Sequence, residues 1–477
     1  MTSIWWIRCD LRLTDNLALH AALEPGDVIP VFIIDPAFSS QSPRRRSFLY
    51  EGLFELDKEL RKCNSYLVIR KGKPVDVLKQ VLNETNAQTI FTEEDYTPYA
   101  HQRDALVARE LPLQLVLGQT VHHPEFVKKA DGKPYTIYTP YSKVWKSLLQ
   151  EIKLIPAPKN INTPSGIKSE IIPSFVSNPF FPAGEAEALR RLKVFTLESD
   201  SKLSDTQEHP QGQRAPAIQR YAEDRNRMDL DGTSSLSPYL RFGMIGLRQA
   251  VRMAKQAWTE SGSAEEKHGA EIWLNELIWR EFYIQILYHF PEVSKNAFNK
   301  SLANIPWRNN ESEFAAWKNG LTGMPIVDAA MRQLKETGWM HNRARMIVAS
   351  FLVKDLLIDW RWGEEWFMEN LLDGDIAANN GGWQWTAGTG TDAAPYFRIF
   401  NPILQSAKFD PNGDYIRKWV PELRGLNTKD IHAPWEKDIK VSGYPDKPIV
   451  DRKVVKERTM NAYRASKEKQ NEHREQT

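Results

Sequence analysis

MTSIWWIRCDLRLTDNLALHAALEPGDVIPVFIID, residues 1–35, decides the fold of the N-terminal part of the chain. Two runs inside it, SIWWIRC (3–9) and VIPVFIID (28–35), are rich in β-branched and aromatic residues. Near-continuous apolar runs of this length are the mark of strands buried on both faces of a sheet. SYLVIRK (65–71), AQTIFTEED (87–95) and LQLVLG (113–118) repeat the pattern. Amphipathic stretches lie between them, among them RSFLYEGLFELDKELRK (46–62) and PVDVLKQVLNET (74–85). This alternation predicts an α/β domain over residues 1–130, built on a doubly wound parallel sheet. Pockets in such sheets lie at the carboxyl ends of the strands. No GxGxxG fingerprint follows the first strand, so no nicotinamide site is assigned there.

The chain has 477 residues, more than one compact core usually carries, so a second domain is expected. IPAPKNINTPSGIK (155–168) and FPAGEAEA (181–188) show little periodicity and mark a connector over 131–215. From residue 216 the pattern is helical, clearest in GAEIWLNELIWREFYIQILYHF (269–290) and NRARMIVASFLVKDLLIDWRWG (342–363). An all-α domain over 216–465 and a polar tail over 466–477 complete the division, and the chain from about 452 is expected to fray.

Composition narrows the partners. Lys and Arg number 63 against 61 acidic residues, a net charge of +2, so any nucleic-acid binding must use a local patch. The two cysteines, Cys9 and Cys63, form no CxxC pair, so neither a disulfide framework nor a metal site is indicated. The apolar run Ile4–Ile7 is too short for a secretory signal, and no apolar stretch is long enough to span a bilayer. A cytoplasmic protein is expected. Sixteen tryptophans are present, most of them suited to core filling.

Three segments carry chemistry. In LDGDIAANNGGWQWTAGTGTDAAPYFRIFNP (372–402), Asp373, Asp375, Asn379 and Asn380 surround glycines and precede Trp383 and Trp385. The stretch reads as neither a good helix nor a good strand. Carboxylates and amides read the edge of a heterocycle, glycines allow close approach and aromatics supply walls, so a ring-cofactor pocket and an irregular buried loop with capping residues are both open. TSSLS (233–237) places hydroxyls beside consecutive amides before a helix, which suits a diphosphate or ordinary capping by Thr233 or Ser234. On the helix over 269–290, Glu276, Trp279, Arg280 and Tyr283 share one face at i, i+3, i+4 and i+7. They suit stacking and hydrogen bonding of a base, or a solvated ion pair. Asn342 and Met346 share a face of the next helix, beside Arg343 and Arg345. Trp307, Trp360 and Trp383 form an electron relay if they touch, and are core residues if they do not.

The residues DAAMRQLKETGWMHNRARMIVASFLVKDLLIDWRWGEEWFMENLLDGDIAANNGGWQWTAGTGTDAAPYFRIFNPILQSAKFD (328–410) resemble the flavin domain of the photolyase and cryptochrome family. WWIRCDLRLTDNLAL (5–19), TSSLSPYLRFG (233–243) and LNELIWREFY (274–283) are similar to further family motifs, in the family's order. The resemblance covers nearly all of the chain outside the connector and tail. It implies FAD held by the helical domain. Tyr221 and Thr233, Ser234, Ser235, Leu236 and Ser237 would hold its phosphates. Ser235 departs slightly, since some relatives carry a larger residue there. Trp273, Arg280, Trp339, Arg345, Asp373 and Asp375 would contact the rest of the cofactor, with Asp373 paired to Arg345. Asn379 matches the position facing flavin N5, where plant cryptochromes have Asp and animal ones Cys. Met346, and Asn342 following His341, replace the histidine arrangement of enzymes for the six-four lesion.

The family member most resembled is a class I photolyase for cyclobutane pyrimidine dimers, with a cryptochrome-type blue-light photoreceptor as the alternative. The resemblance implies UV-damaged DNA as partner, a monomer, no metal, and light-driven electron transfer from reduced FAD to a flipped-out dimer. Glu276, Asn342, Met346 and Asn379 would serve catalysis. Arg225, Glu276, Trp279, Tyr283, Asn342, Arg343, Trp385 and Gln405 would contact DNA. Trp307, Trp360 and Trp383 would carry electrons inward. An antenna chromophore is expected on the N-terminal domain. Where folate-binding relatives carry an acidic residue, this chain has Tyr99, Ala100 and His101, so a deazaflavin is preferred. Arg44, Arg45 and Arg46 border that region.

Overall fold

A computed structural model describes residues 1–39, 42–197 and 215–475, with side chains described to residue 468. The rest of the expected connector, 198–214, and the last two residues of the tail lie outside the described residues. Among those described, five strands form one parallel sheet: β1 (Thr2–Ile7), β2 (Asp27–Ile34), β3 (Val68–Lys71), β4 (Thr89–Glu93) and β5 (Leu113–Val116). The order is β3-β2-β1-β4-β5. Ile4 pairs with Ile29 on one side and Ile90 on the other, in register. The strands are added outward in one direction from β1 to β3 and in the other from β4 to β5, so β1 and β4 flank the switch point of a doubly wound fold. Ile4, Trp6, Ile29, Val31, Val68 and Ile90 fill the core beneath helix Pro74–Thr85.

The connector runs along this sheet rather than away from it. Ile161 N donates to Cys63 O, Val28 N to Asn162 O, and Glu170 N to Ile69 O. Two parts of it are regular, contrary to expectation: Tyr138–Leu148 and Glu185–Leu197 are helices. Ala188, Leu192 and Phe195, at i, i+4 and i+7, are the buried stripe that builds the second.

The chain divides into two compact units. The first comprises 1–222 and 233–291, so the helix expected over 269–290 packs with the α/β part. That helix spans Ala264–His289 and starts on a capping box in which Ser263 and Glu266 each bond the other's backbone. Gly269 lets helix Ala217–Asp224 cross it closely, since a Cβ there would lie 2.1 Å from Gln219 O. Glu281, fully buried one turn beyond Leu277, fastens this helix to the loop after β5. Its carboxylate accepts from Val121 N and, at 2.6 Å, from Trp145 Nε1, and burial pushes its pKa up to about 7.

The second unit comprises 223–232 and 292–477. Three sequence expectations are corrected in it. The stretch 342–363 is not one helix. It is helix Asn342–Ser350, a π-turn over Phe351–Asp355, and a new helix Trp360–Asn370 capped by Asp359. The chain turns at Leu357, whose φ of 54° ends the first run. The apolar run 347–358 hid this break because its residues are buried in every direction. The stretch 372–402 is not irregular throughout, for Ile376–Ala387 is a helix. Asp375 caps its start by accepting from Ala378 N, and Gly388, at φ 82°, ends it. Third, the expected frayed end forms helix Arg452–Glu475. Val455, Thr459, Ala462, Tyr463 and Ser466 recur at three- and four-residue spacing and are buried, a stripe that the surrounding charges obscure.

Candidate functional site

Each unit is described by itself. In the first, helix Ala264–His289 presents Glu276, Trp279, Arg280 and Tyr283 half-buried on one face, as their spacing requires. Trp279 is backed by Tyr138. The two rings stack with centroids 3.7 Å apart and planes 4° from parallel. Tyr138 is held in turn by a hydrogen bond from its hydroxyl to Asn275 O at 2.9 Å. Tyr283 leans on Trp279 at 5.5 Å, and Arg280 donates to Leu240 O at 3.5 Å. Trp273 is buried and, with Tyr221, packs around Phe195.

Leu240 belongs to the short helix Ser237–Arg241, which follows the TSSLS run. The expected alternative of capping by Thr233 or Ser234 does not occur. The cap position is Leu236, without a side-chain cap bond, and Ser235 sits at φ 49°. Thr233, Ser234, Ser235 and Ser237 are half-buried and Leu236 is buried.

In the second unit, helix Asn342–Ser350 starts on His341, whose Nδ1 accepts from Arg343 N at 3.1 Å. Burial, then the charges of Arg343, Arg345 and Arg225, hold the imidazole neutral, with its pKa down at about 3. Asn342 is exposed and Met346 half-buried one turn later. Arg345 donates from Nη2 to Asp373 Oδ2 at 2.7 Å and from Nε to Met340 O at 2.8 Å. Asp373 Oδ1 is buried and accepts nothing within the described residues. That oxygen is an acceptor with room for a donor beyond the described residues. Trp339 stands edge-on to His341 at 6.4 Å.

Asn379 is fixed with its donor turned inward: Nδ2 donates to Glu364 O at 3.0 Å. The second amide hydrogen and the amide oxygen of Asn379 are available for a ligand. Next to it, Asn380 donates to Glu364 Oε1 at 2.9 Å, and Gln384 donates to Asn380 Oδ1 at 3.0 Å. Burial pushes Glu364 up to about 7. Trp383, 2% exposed, packs on Phe367 at 5.0 Å and over Gly363, where a Cβ would come within 2.1 Å of its ring. Gly363 lies one turn after Trp360 on the same helix, so Trp383 seats against the helix that carries Trp360. Trp360 and Trp383 belong to one core cluster, and Trp307 packs against it. Asp375 is the helix cap described above, and Trp385 is half-buried.

Arg343 donates twice to Asn226 Oδ1, at 2.5 and 3.1 Å, and lies 4.4 Å over the Phe409 ring. Burial and the like charges of Arg225 and Arg398 pull it down to about 10. Three guanidinium groups that repel one another gain from a shared anion. Gln405, half-buried, lies beyond them on helix Pro402–Phe409. Sequence reasoning missed Arg398 and Tyr138. Arg398 lies inside the quoted 372–402 motif but has no local pattern to single it out. Tyr138 meets Trp279 across 141 positions of sequence, and no spacing rule reaches that far.

Residues 3–159 match the model of the DNA photolyase family, and residues 273–465 that of the FAD binding domain of DNA photolyase. A deoxyribodipyrimidine photo-lyase of Vibrio cholerae is 40% identical over 476 residues, covering 97% of this chain and 99% of that protein. A bacterial class III photolyase from Agrobacterium tumefaciens superposes with a TM-score of 0.88 at 37% identity, covering 98% of each chain. An archaeal photolyase from Sulfolobus tokodaii, described with two FAD molecules and a novel light-harvesting cofactor, gives 0.79 at 32% identity, over 98% of this chain and all of that one.

Proposed function

The chain belongs to the DNA photolyase family, and from that premise we propose that it repairs cyclobutane pyrimidine dimers in UV-damaged DNA under light. The observation that carries this reading is the half-buried face of Glu276, Trp279, Arg280 and Tyr283, with Trp279 held rigid by Tyr138. Photolyases take their target out of the duplex, and a damaged, poorly paired dinucleotide costs less to extrude than normal bases. A pre-stacked indole offers the extruded bases a flat wall without first losing its own freedom.

The residues suit FAD. Asp373 Oδ1 is a buried acceptor with no donor among the described residues, and Asn379 keeps its amide oxygen and one N–H for a ligand. Tyr221, Thr233, Ser234, Ser235, Leu236, Ser237, Trp273, Arg280, Trp339, Arg345, Asp373, Asp375 and Asn379 would hold it. Reduced FAD, when bound, supplies the light-excited electron that opens the dimer's ring and takes it back afterwards.

The chain's own residues do the rest. Glu276 hydrogen-bonds a pyrimidine carbonyl or imide of the dimer. Asn342 bonds the other base and Met346 packs beneath it. By the resemblance, Trp279 and Tyr283 of the first unit and Trp385 of the second would each contact the lesion DNA. Arg225, Arg343 and Gln405 bind the backbone near the lesion, fixing register without reading sequence. Trp307, Trp360 and Trp383 pass electrons inward. His341, held neutral, is no proton source near pH 7.

A second chromophore serves as antenna. At the carboxyl ends of β1, β2 and β4 stand Trp6, Phe38 and Tyr99, with Arg8 and Arg103 each within 5 Å of the Trp6 ring. A deazaflavin is the proposed occupant, since Tyr99, Ala100 and His101 stand where folate-binding relatives carry an acidic residue. Among the described residues no helix is long and apolar enough to cross a membrane. Cys9 and Cys63 are both free, which suits a monomer in a reducing cytoplasm.

The test is repair of an oligonucleotide carrying one thymine cyclobutane dimer, with a dark control and a six-four lesion control. Loss of the dimer only in light is expected. No repair by fully reduced, FAD-loaded protein would overturn the reading.

A further inference from the structure

Residues 223–232 pack with the second unit. Met228 anchors this strap. Its side chain joins the core of that unit, and its N donates to Phe409 O at 3.1 Å. Asn226 stands two residues earlier and is half-buried. Its Oδ1 accepts from Arg343 Nη2 at 2.5 Å and from Arg343 Nε at 3.1 Å. The Phe409 ring supports the same guanidinium from 4.4 Å, so Arg343 is held on an edge and on a face. Other arginines of this unit are held by carboxylates: Arg345 by Asp373, Arg332 by Glu422 and Arg227 by Asp229. A carboxylate satisfies the N–H donors and also cancels the charge. The amide oxygen of Asn226 satisfies the donors alone.

We propose that Asn226 is a positioning residue for the DNA backbone: it fixes the Arg343 guanidinium and leaves its positive charge uncancelled, so that the charge acts on a phosphate. The proposal rests on the reading that Arg343 binds the backbone near the lesion. Aspartate has the shape of asparagine and could accept the same two bonds. It would put a second oxygen where the amide has its NH2, neutralise Arg343 and repel a phosphate oxygen. The arginine would gain a partner and the DNA would lose one.

The surroundings leave the charge standing. Arg225 and Arg398 act on Arg343 as like charges, and Lys408 lies over the same Phe409 ring at 5.3 Å. Two acids on the same segments are engaged elsewhere. Asp229 is bound by Arg227, and Asp410 accepts from Tyr415 N and Ile416 N, each at 3.0 Å. Burial and repulsion pull Arg343 down to about 10, which still keeps it protonated at neutral pH. The free protein thus gives up some stability by holding like charges together, and a bound phosphate relieves it, as binding sites commonly do.

The experiment measures equilibrium binding to a single-dimer duplex and to its undamaged counterpart across a salt series, beside urea melts. Wild type, Asn226→Asp, Asn226→Ala and Arg343→Ala are compared, each full-length and FAD-loaded. Asn226→Asp is expected to melt at or above the wild-type urea midpoint. It should nevertheless bind both duplexes roughly 10-fold more weakly, the factor that a hydrogen bond to a charged group commonly supplies. Its slope of log affinity against log salt should fall by about 1, like that of Arg343→Ala. Asn226→Ala releases Arg343 without neutralising it, so it should bind DNA more tightly than Asn226→Asp and keep the wild-type slope. A role confined to holding the side chain gives the reverse order, since aspartate holds an arginine and alanine does not. That reverse order overturns the proposal. So does a lowered urea midpoint in Asn226→Asp, or an unchanged salt slope there when Arg343→Ala lowers it. If Arg343→Ala itself leaves affinity and slope unchanged, the backbone reading of Arg343 fails, and the proposal with it.

Discussion

Tyr138 stacks flat on Trp279, with centroids 3.7 Å apart and planes 4° from parallel. One face of the indole is therefore already covered, and a base can use only the other face or the edges. Tyr138→Leu should loosen the platform and weaken binding of dimer-containing DNA by ~2–10-fold, the range of an aromatic pair worth about 0.5–1.5 kcal/mol. Trp279→Ala should cost more, roughly 1–3 kcal/mol, as loss of base–aromatic stacking does. Equilibrium binding to a single-lesion duplex checks both, and equal losses would show that Tyr138 contacts DNA itself.

Trp383→Phe should block light-driven reduction of oxidised flavin and leave repair by chemically pre-reduced enzyme intact. Flavin bleaching under light with a thiol donor, beside a repair assay on reduced protein, separates the two. Normal photoreduction in this variant would defeat the electron-path assignment.

Gly363→Ala places a Cβ 2.1 Å from the Trp383 ring and 2.7 Å from Leu352. Alanine is the better helix former by about 1 kcal/mol, yet overpacking a filled core costs about 1–3 kcal/mol. A lower urea midpoint and slower photoreduction are expected together. A more stable protein with unchanged photoreduction would mean that the indole moves aside freely.

Arg398→Ala should weaken binding to damaged and undamaged DNA by similar factors and reduce the slope of log affinity against log salt by about 1, the signature of one lost phosphate contact. Removing Arg398 also relieves its charge on Arg343. A change confined to damaged DNA would instead place Arg398 on the lesion.

Glu364 gives a pH dependence with a definite sign. Its folded pKa, about 7, lies above the ordinary 4.5, chiefly because burial disfavours the charged form. The native state then binds more protons than the unfolded chain between those values, so stability falls as pH rises through this window and levels off above it. Glu364→Gln keeps an acceptor for Asn380 and removes the titration. It should be the more stable protein at pH 8 by roughly 2–3 kcal/mol and flatter with pH, as denaturant melts at several pH values will show.

Much of the fold was legible because it follows short-range rules. The first four strands announced themselves as apolar runs, the fifth, Leu113–Val116, is an edge strand rather than a buried one, and helix Pro74–Thr85 fell on its expected residues. The face of Glu276, Trp279, Arg280 and Tyr283 followed from helical spacing alone. What stayed hidden is tertiary. Leu357 gives no sign of its positive φ, because the run around it is buried in every direction, Lys354 and Asp355 included, and has no exposed side to go out of phase. The helix Ile376–Ala387 carries two asparagines and two glycines, poor helix formers, and stands on the Asp375 cap and buried packing. The C-terminal stripe from Val455 to Ser466 was masked by its charges. For the site, residue types pointed to a ring cofactor, but only the resemblance distributed roles among them. The inward turn of the Asn379 amide and the unpaired Asp373 oxygen needed coordinates.

The interruption at Phe351–Asp355 has a geometric consequence. In a continuous helix at about 100° per residue, Trp360 would follow Met346 at an angular offset of only about 40°, so both would look the same way. A single rod could not then give one of them to a half-open face and seal the other in the core. The π-turn and Leu357 reset the azimuth between them, so one uninterrupted segment of chain has two independent headings: Met346 half-exposed and Trp360 at 1% exposure.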